Sequence, residues 1–346
     1  MSKPIYIAAI DIGTQYITGA IAEKKNNKTI QILAFEKVKT RPNMVVKGCV
    51  KDINQVLFEI NGICKKLANQ CQKTPKRVYV HSSMLNKESN YGEWATMLEA
   101  AETTLQERLI PITSLLPTKA DLYTNPAEQS NGCLFIDMGA GTTSYILRMK
   151  GQKDIIGVIP SGGDLISNDL TYKGLTMEVA EKVKIKLGSA QVSKLNKPNR
   201  LISLKAHGPF DINQSISLAE LSKMIEDRVN DTALRILRPL IKNDNLPADG
   251  YTIVMSGGGC KLRNITDWYS DKTKMQVRIA DATHFLNNDA LSMACNKPQN
   301  HTLLSMLAIG TENCISEKKG NFNLLERLTR KNKINNFIDK GIETLF

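Results

Sequence analysis

Two short runs carry residue types suited to holding a phosphate. Asp11-Ile-Gly-Thr-Gln15 follows the apolar run Ile7–Ile10, and Asp137-Met-Gly-Ala-Gly-Thr-Thr143 follows Cys133–Ile136. In each, an aspartate ends an apolar stretch, glycine and threonine follow, and a second apolar stretch begins. A tight turn between adjacent strands lines up backbone N–H groups, and glycine lets an anion approach them because it has no Cβ. Threonine hydroxyls add hydrogen bonds. An aspartate at the strand end meets phosphate-bound Mg²⁺ through water, since that ion dehydrates reluctantly. Two such hairpins facing each other would clamp a nucleotide's phosphates, with the metal between Asp11 and Asp137. Ser256-Gly-Gly-Gly259 is a third place where backbone could approach a ligand closely. A lone DxGT is an ordinary hairpin turn and a lone GGG an ordinary loop, so it is the conjunction that carries the argument.

The elements that must position these runs follow from periodicity. Strands are expected at 5–10, 17–22 and 30–36, with KKNNK as a turn, and a helix at about 52–71 starting near Asp52. A strand at 76–83, a helix at about 92–108 and a strand passing into a short helix lead to the hairpin at 133–148 and a strand at 154–159. A helix over 176–188 ends at Gly188, which suits a left-handed cap. Weak β signals over 189–215 precede a long amphipathic helix at 215–241, whose Leu218, Leu221, Ile225 and Val229 read as a core face. The strand at 251–259 runs into the glycines, a helix resumes after them, and another spans 300–314. Alternating strands and helices imply α/β layers, and the duplicated hairpin implies two related halves about one cleft.

A chain of 346 residues accommodates two domains, and 23% charged residues with ordinary apolar content argues against disorder. No apolar run approaches the ~18 residues of a membrane span, and the start lacks a signal-peptide pattern. Seven cysteines, none spaced CxxC, read as reduced thiols without zinc. A net charge of +12 points to a polyanionic partner, nucleotide, nucleic acid or anionic lipid. Nucleic acid is disfavoured by the absence of a recognition motif and by only 5% aromatic residues.

In this order and spacing, the three motifs resemble the actin/Hsp70/sugar-kinase ATPase superfamily. The resemblance implies an α/β, actin-like (ribonuclease H-like) two-domain ATPase fold with a nucleotide cleft between the halves, and ATP and Mg as cofactors. It assigns Asp11, Gly13, Thr14 and Gln15 to a first phosphate loop and Asp137, Gly139, Gly141, Thr142 and Thr143 to a second. Gly257, Gly258 and Gly259 become the adenosine loop, and Asp11 and Asp137 the metal-facing carboxylates, through water. IPSGGDLISNDLT at 159–171 and AEKVKIKLGSA at 180–190 further resemble the bacterial cell-division family FtsA. That resemblance covers nearly the whole chain and adds Gly162, Gly163, Glu181 and Lys184 to the ATP site. From the residues alone, Glu181 and Lys184 at i and i+3 are a surface ion pair worth roughly a few tenths of a kcal/mol.

The family pattern implies domain 1 at 1–129, domain 2 at 130–299 with subdomain 2B at about 175–248, a return to domain 1 at 300–315, a linker at 316–330 and a membrane-targeting helix at 331–346. Too few residues lie between Val80 and Cys133 for the family's subdomain 1C, so it is expected to be reduced or absent. Before the second loop stands Lys119, with no Glu or Gln where hydrolysing relatives position water. Slow or absent hydrolysis is therefore expected, with nucleotide acting as an assembly ligand.

At the end of the chain, Ile334, Phe337, Ile338, Ile342, Leu345 and Phe346 fall on one helical face, with Lys331, Lys333 and Lys340 supplying positive charge. That is the pattern of an interfacial helix lying on an anionic membrane; a helix docked on its own domain is the other reading. The resemblance implies a peripheral protein on the cytoplasmic face of the cell membrane at the division site. Its partners would be other copies of itself in a filament, anionic lipid and the C-terminal peptide of FtsZ, the last through Arg228 and Asp231. Two alternatives share the fold: an actin-like adaptor of type IV pilus assembly, and a small-molecule kinase or polyphosphate hydrolase. The latter needs a carboxylate in the cleft, for which Glu88, Glu93 and Asp121 lie in the right interval without a motif.

Overall fold

A computed structural model describes residues 4–25, 29–83, 108–205, 213–242 and 251–315. Ile5–Ile12 (β1), Tyr16–Lys24 (β2) and Ile30–Lys39 (β3) form an antiparallel meander, as their β-branched and alanine-rich composition predicts. A two-residue pair, Val45–Val46 (β4) with Cys49–Val50 (β5), leads into helix Ile53–Cys71 (α1). Asp52 caps α1 by accepting from the Gln55 N–H, and Gln72 closes it in the left-handed region. Val78–His81 (β6) lies parallel to β1, and Leu109–Pro111 (β7) parallel to β6. The sheet order is β3-β2-β1-β6-β7. Val56, Leu57, Ile60, Ile63 and Leu67 of α1 are buried at helical spacing.

Helices Leu116–Tyr123 (α2) and Pro126–Asn131 (α3) connect to the second sheet. Cys133–Met138 (β8), Thr143–Arg148 (β9) and Ile155–Ile159 (β10) are antiparallel neighbours. After helices Gly163–Thr171 (α4) and Met177–Leu187 (α5) comes a separate ladder, Leu201–Lys205 (β11) with Asn213–Ser217 (β12), and then the long helix Leu218–Lys242 (α6). Thr252–Ser256 (β13) returns parallel to β8 and, after helix Ile265–Thr273 (α7), Gln276–Ile279 (β14) lies parallel to β13. The order β10-β9-β8-β13-β14 reproduces that of the first sheet strand for strand. The repeated hairpin is thus the visible part of a duplicated half.

Alternation along the second sheet gives each face its own core. Leu134, Ile136, Leu147, Ile253 and Met255 pack with α6, whose Leu221, Ile225, Val229, Ala233 and Ile236 are buried. Phe135, Ile146 and Val254 point the other way, into the core of the first half. Helices Ala290–Cys295 (α8) and His301–Ile309 (α9) complete that core, α8 against β3 and α9 against β1, β2 and α2. The return to the first half begins before residue 300, because Ile30 donates to Phe285 O and accepts from the Asn287 N–H.

Several expectations need correction. Gly188 is not a left-handed cap: its φ is −64°. A Cβ there would lie 2.5 Å from Lys184 O and 2.6 Å from Ile225 Cδ1, so glycine is required by the close approach of α5 to α6. The helix expected over 300–314 ends at Ile309, because the chain turns at Gly310 to let the Cys314 N–H donate to Tyr6 O. Residues 215–217 belong to β12 and not to α6. Helices α3, α4 and α8 and strand β14, short elements with weak periodicity, were not anticipated. Of the expected helix at 92–108 only Arg108 is described, and that residue precedes β7. Residues 84–107 of the interval that bears on subdomain 1C, the middle of the KKNNK turn and the C-terminal segment 316–346 also lie outside the described residues. Among the described residues no helix is long and apolar enough to cross a membrane.

Candidate functional site

The two hairpin turns are closed by the same bond. The Gly13 N–H donates to Tyr16 O (3.0 Å), and the Gly139 N–H donates to Thr142 O (2.8 Å). A side chain at Gly13 would meet Tyr16 O at 2.7 Å, so the first turn requires glycine. The turns also face each other: a Cβ at Gly141 would fall 2.5 Å from Thr14 Oγ1 and 2.8 Å from Lys47 Cα. Thr14 Oγ1 accepts from the Gly48 N–H (3.0 Å), and Gln15 Nε2 donates to Asp164 Oδ1 (2.5 Å) at the start of α4. The first loop is thereby joined to both the second loop and the helix behind it.

Beneath the turns lies Lys119 of α2, only 2% exposed. Its Nζ donates to Asp137 Oδ2 (2.7 Å) and to Thr302 Oγ1 (2.8 Å). Burial pushes the Asp11 carboxyl up to about 7, the nearby Lys119 charge opposes the shift, and Asp137 adds to it. Asp11 and Asp137 therefore share one electrostatic neighbourhood, as the motif spacing predicts. Two histidines were missed. Burial holds His81 down at about 4, although Ile112 O accepts a 2.7 Å hydrogen bond from its Nδ1. Burial likewise holds His301, stacked on Tyr123 at 4.3 Å, at about 3. Both rings are neutral at pH 7, which leaves Lys119 as the positive charge beside Asp137.

This donor set does not suit the expected Mg²⁺. The second-loop carboxylate Asp137 already pairs with the Lys119 ammonium. Among the described residues no group of three or more His, Cys, Asp or Glu side chains is placed to hold a metal.

The third loop completes the arrangement. Gly257 has φ +84° and its N–H donates to Pro298 O (3.1 Å). A Cβ there would lie 2.6 Å from Asp137 Oδ1, so the SGGG turn packs directly on the second loop. Gly258 faces more open space, its nearest neighbour being Gln299 Cβ at 3.5 Å, and the buried Gln299 Oε1 has no partner among the described residues.

The other described residues assigned to the site from the sequence make their contacts within the fold. The N–H groups of Gly163 and Asp164 donate to Gly139 O (3.0 Å) and Ala140 O (2.9 Å), and a Cβ at Gly162 would meet Ala140 O at 2.5 Å. Gly162 and Gly163 thus brace the second loop from behind. Thr142 and Thr143 are buried, and Thr143 Oγ1 donates to Ser161 O (2.6 Å). Glu181 and Lys184 are not the surface pair that spacing alone suggests. Lys184 is buried and its Nζ donates to Glu181 Oε2 (2.6 Å) and to Gly163 O (2.9 Å), while the Ser167 hydroxyl donates to Glu181. Arg228 forks onto Asp169 (2.6 and 2.7 Å) and reaches Asp231 (3.3 Å), tying α6 to α4. Asp121 is exposed and accepts from Arg148. Glu88, Glu93, Ile334, Phe337, Ile338, Ile342, Leu345 and Phe346 lie outside the described residues. Thr302 and Gln299 had no motif to announce them, and Asp164, inside the 159–171 motif, was not singled out, since only the fold brings these side chains to the loops.

The family model described as "Cell division protein FtsA" matches residues 134–305. The cell division protein FtsA of Buchnera aphidicola subsp. Acyrthosiphon pisum is 26% identical over 219 residues, 60% of this chain and 51% of that protein. That of Borreliella burgdorferi is 31% identical over 153 residues, 44% of this chain and 37% of that protein. The chain thus spans about half, or less, of the curated relatives it matches. Among solved structures, the ethanolamine utilization protein EutJ from Carboxydothermus hydrogenoformans superposes with a TM-score of 0.59 at 17% identity, covering 89% of this chain and 91% of that one. MreB5 of Spiroplasma citri bound to ADP gives 0.59 at 17% identity, with 87% and 94% covered. The PilM–PilN type IV pilus biogenesis complex gives 0.59 at 14% identity, with 88% and 97% covered. The fold is actin-like.

Proposed function

The chain is related to the FtsA cell-division proteins through residues 134–305, and from that kinship and the actin-like fold we propose that it is a nucleotide-binding, polymerising protein of cell division. The observation that carries the reading is the pair of matched turns, Gly13–Tyr16 and Gly139–Thr142, meeting at Gly141 and Thr14 with the SGGG turn against Asp137. ATP or a close analogue would lie across them, its phosphates toward the two turns and its nucleoside toward Gly258, where space and the Gln299 amide are available. That an actin-like neighbour, MreB5 of Spiroplasma citri, is bound to ADP supports a nucleotide as the ligand. Residues 1–129 and 300–315 would form one domain and 130–299 the other, with 2B at about 175–248.

On the same kinship, nucleotide would act as an assembly ligand, hydrolysed slowly or not at all. The segment 331–346 would lie on the cytoplasmic face of the membrane, and a filament presenting many such segments would bind by avidity. FtsZ would be the protein tethered there. Because Arg228 and Asp231 already pair within the fold, they would contribute to FtsZ binding through the shape of the α4–α6 surface and not as free charges. Co-sedimentation with anionic liposomes tests the whole reading. The full chain should pellet with ATP, and a chain ending at residue 330 should stay in solution; equal behaviour of the two would refute membrane tethering by the tail.

A further inference from the structure

Lys119 is an unusual residue to find beneath two phosphate-binding turns. A lysine is seldom fully buried unless it is paired, and this one is held by the carboxylate of the second loop and by Thr302 of α9. Its ammonium stands at Asp137, the carboxylate that the motif reserves for a metal-bound water. A divalent ion placed there would face an existing positive charge at close range in a poorly solvated floor.

Three exposed lysines stand next to the first and third turns. Lys37 of β3 stacks its ammonium over the ring of Tyr16, the last residue of the first turn, at 3.6 Å. Lys261 ends the turn that follows the SGGG loop, and Lys297 precedes Pro298, whose carbonyl accepts from Gly257. The three come from separate parts of the chain. They are nevertheless close enough that Lys261 and Lys297 add to the burial that lowers the Lys37 pKa. Like charges this near repel one another, and an anion bound among them relieves the repulsion.

We infer that the cleft binds the nucleoside triphosphate as the free anion without Mg²⁺, Lys119 occupying the carboxylate a metal would need and Lys37, Lys261 and Lys297 supplying positive charge beside the turns. This rests on the nucleotide reading above and departs from the metal that the sequence pattern implies. It also accords with an assembly ligand, because the charge that a metal would localise at the terminal phosphate is here distributed among fixed lysines.

The test is titration of the full chain with ATP by calorimetry, once in excess EDTA and once in excess magnesium. The expected result is the same affinity within about threefold in both, and a loss of about tenfold or more in EDTA for Lys119→Met. Because a buried substitution can unfold the chain, Lys297→Glu at an exposed position is measured alongside, with the same direction expected. Binding that appears only with magnesium would overturn the inference and leave the nucleotide reading standing. Absence of binding in both buffers would overturn both. Affinity unchanged in both variants would also overturn it, since the lysines would then play no part.

Discussion

Lys119, paired with Asp137, and Asp11, with its raised pKa, are the ionisable groups of the site whose removal has a definite expected sign. Removing the ammonium while leaving Asp137 in place leaves a half-buried carboxylate without its partner, so Lys119→Ala should cost about 1–3 kcal/mol, read by urea denaturation. The double change Lys119→Met with Asp137→Asn removes both charges and should recover most of that loss. Asp11 makes a prediction with a definite sign. Its folded pKa of about 7 lies above the unfolded value of 3.8, so the folded state holds the proton more tightly. That contribution is fully present below about pH 4 and is lost as pH rises toward 7. Asp11→Asn should therefore gain stability relative to the unaltered chain between those limits, by an amount on the order of a few kcal/mol. His81 and His301 push the opposite way, being stabilising above their unfolded pKa and losing that as pH falls, but they are common to both proteins. Thermal melting of ligand-free protein at pH 5 and pH 7.5 checks the difference. An advantage of the Asp11→Asn variant that does not grow with pH would show that water reaches the half-buried Asp11 carboxyl and keeps its pKa near the ordinary value.

At the scale of elements, the α4–α5–α6 corner is fixed by contacts that sequence periodicity could not reveal. Gly188 reads as a helix terminator in the sequence, yet its backbone is extended and its role is to admit Ile225 against Lys184. Gly188→Ala should destabilise the chain by about 1–3 kcal/mol through overpacking, where a terminator in the left-handed region would have lost a similar amount through strain. Gly188→Asn separates the two: Asn tolerates the left-handed region but not the crowding, so it should be at least as damaging as Ala. The duplicated hairpins, the meanders and α1 with its Asp52 cap were all legible, because period-2 runs bounded by DxG turns and a capped 3.6-residue period are local signals. Helices α4 and α8 were not, being too short to show a period. Lys119 could be noted in the sequence as a departure, but its meeting with Asp137 and Thr302 joins three distant segments and exists only in the fold.

At the scale of the molecule, two sheets of identical order place their first turns mouth to mouth, and the SGGG loop of the second half closes on Asp137. Everything proposed about assembly and membrane depends on that mouth holding a nucleotide. The most direct measurement is ATP binding to the full chain beside Gly141→Val, with circular dichroism to confirm that both are folded. The valine side chain would occupy the space between Thr14 and the second turn, where a Cβ alone already comes within 2.5 Å. One saturable site in the unaltered chain, lost or weakened by about a hundredfold in the variant, is the predicted result. Equal binding by two folded proteins would place the nucleotide elsewhere, and no binding by either would contradict the account.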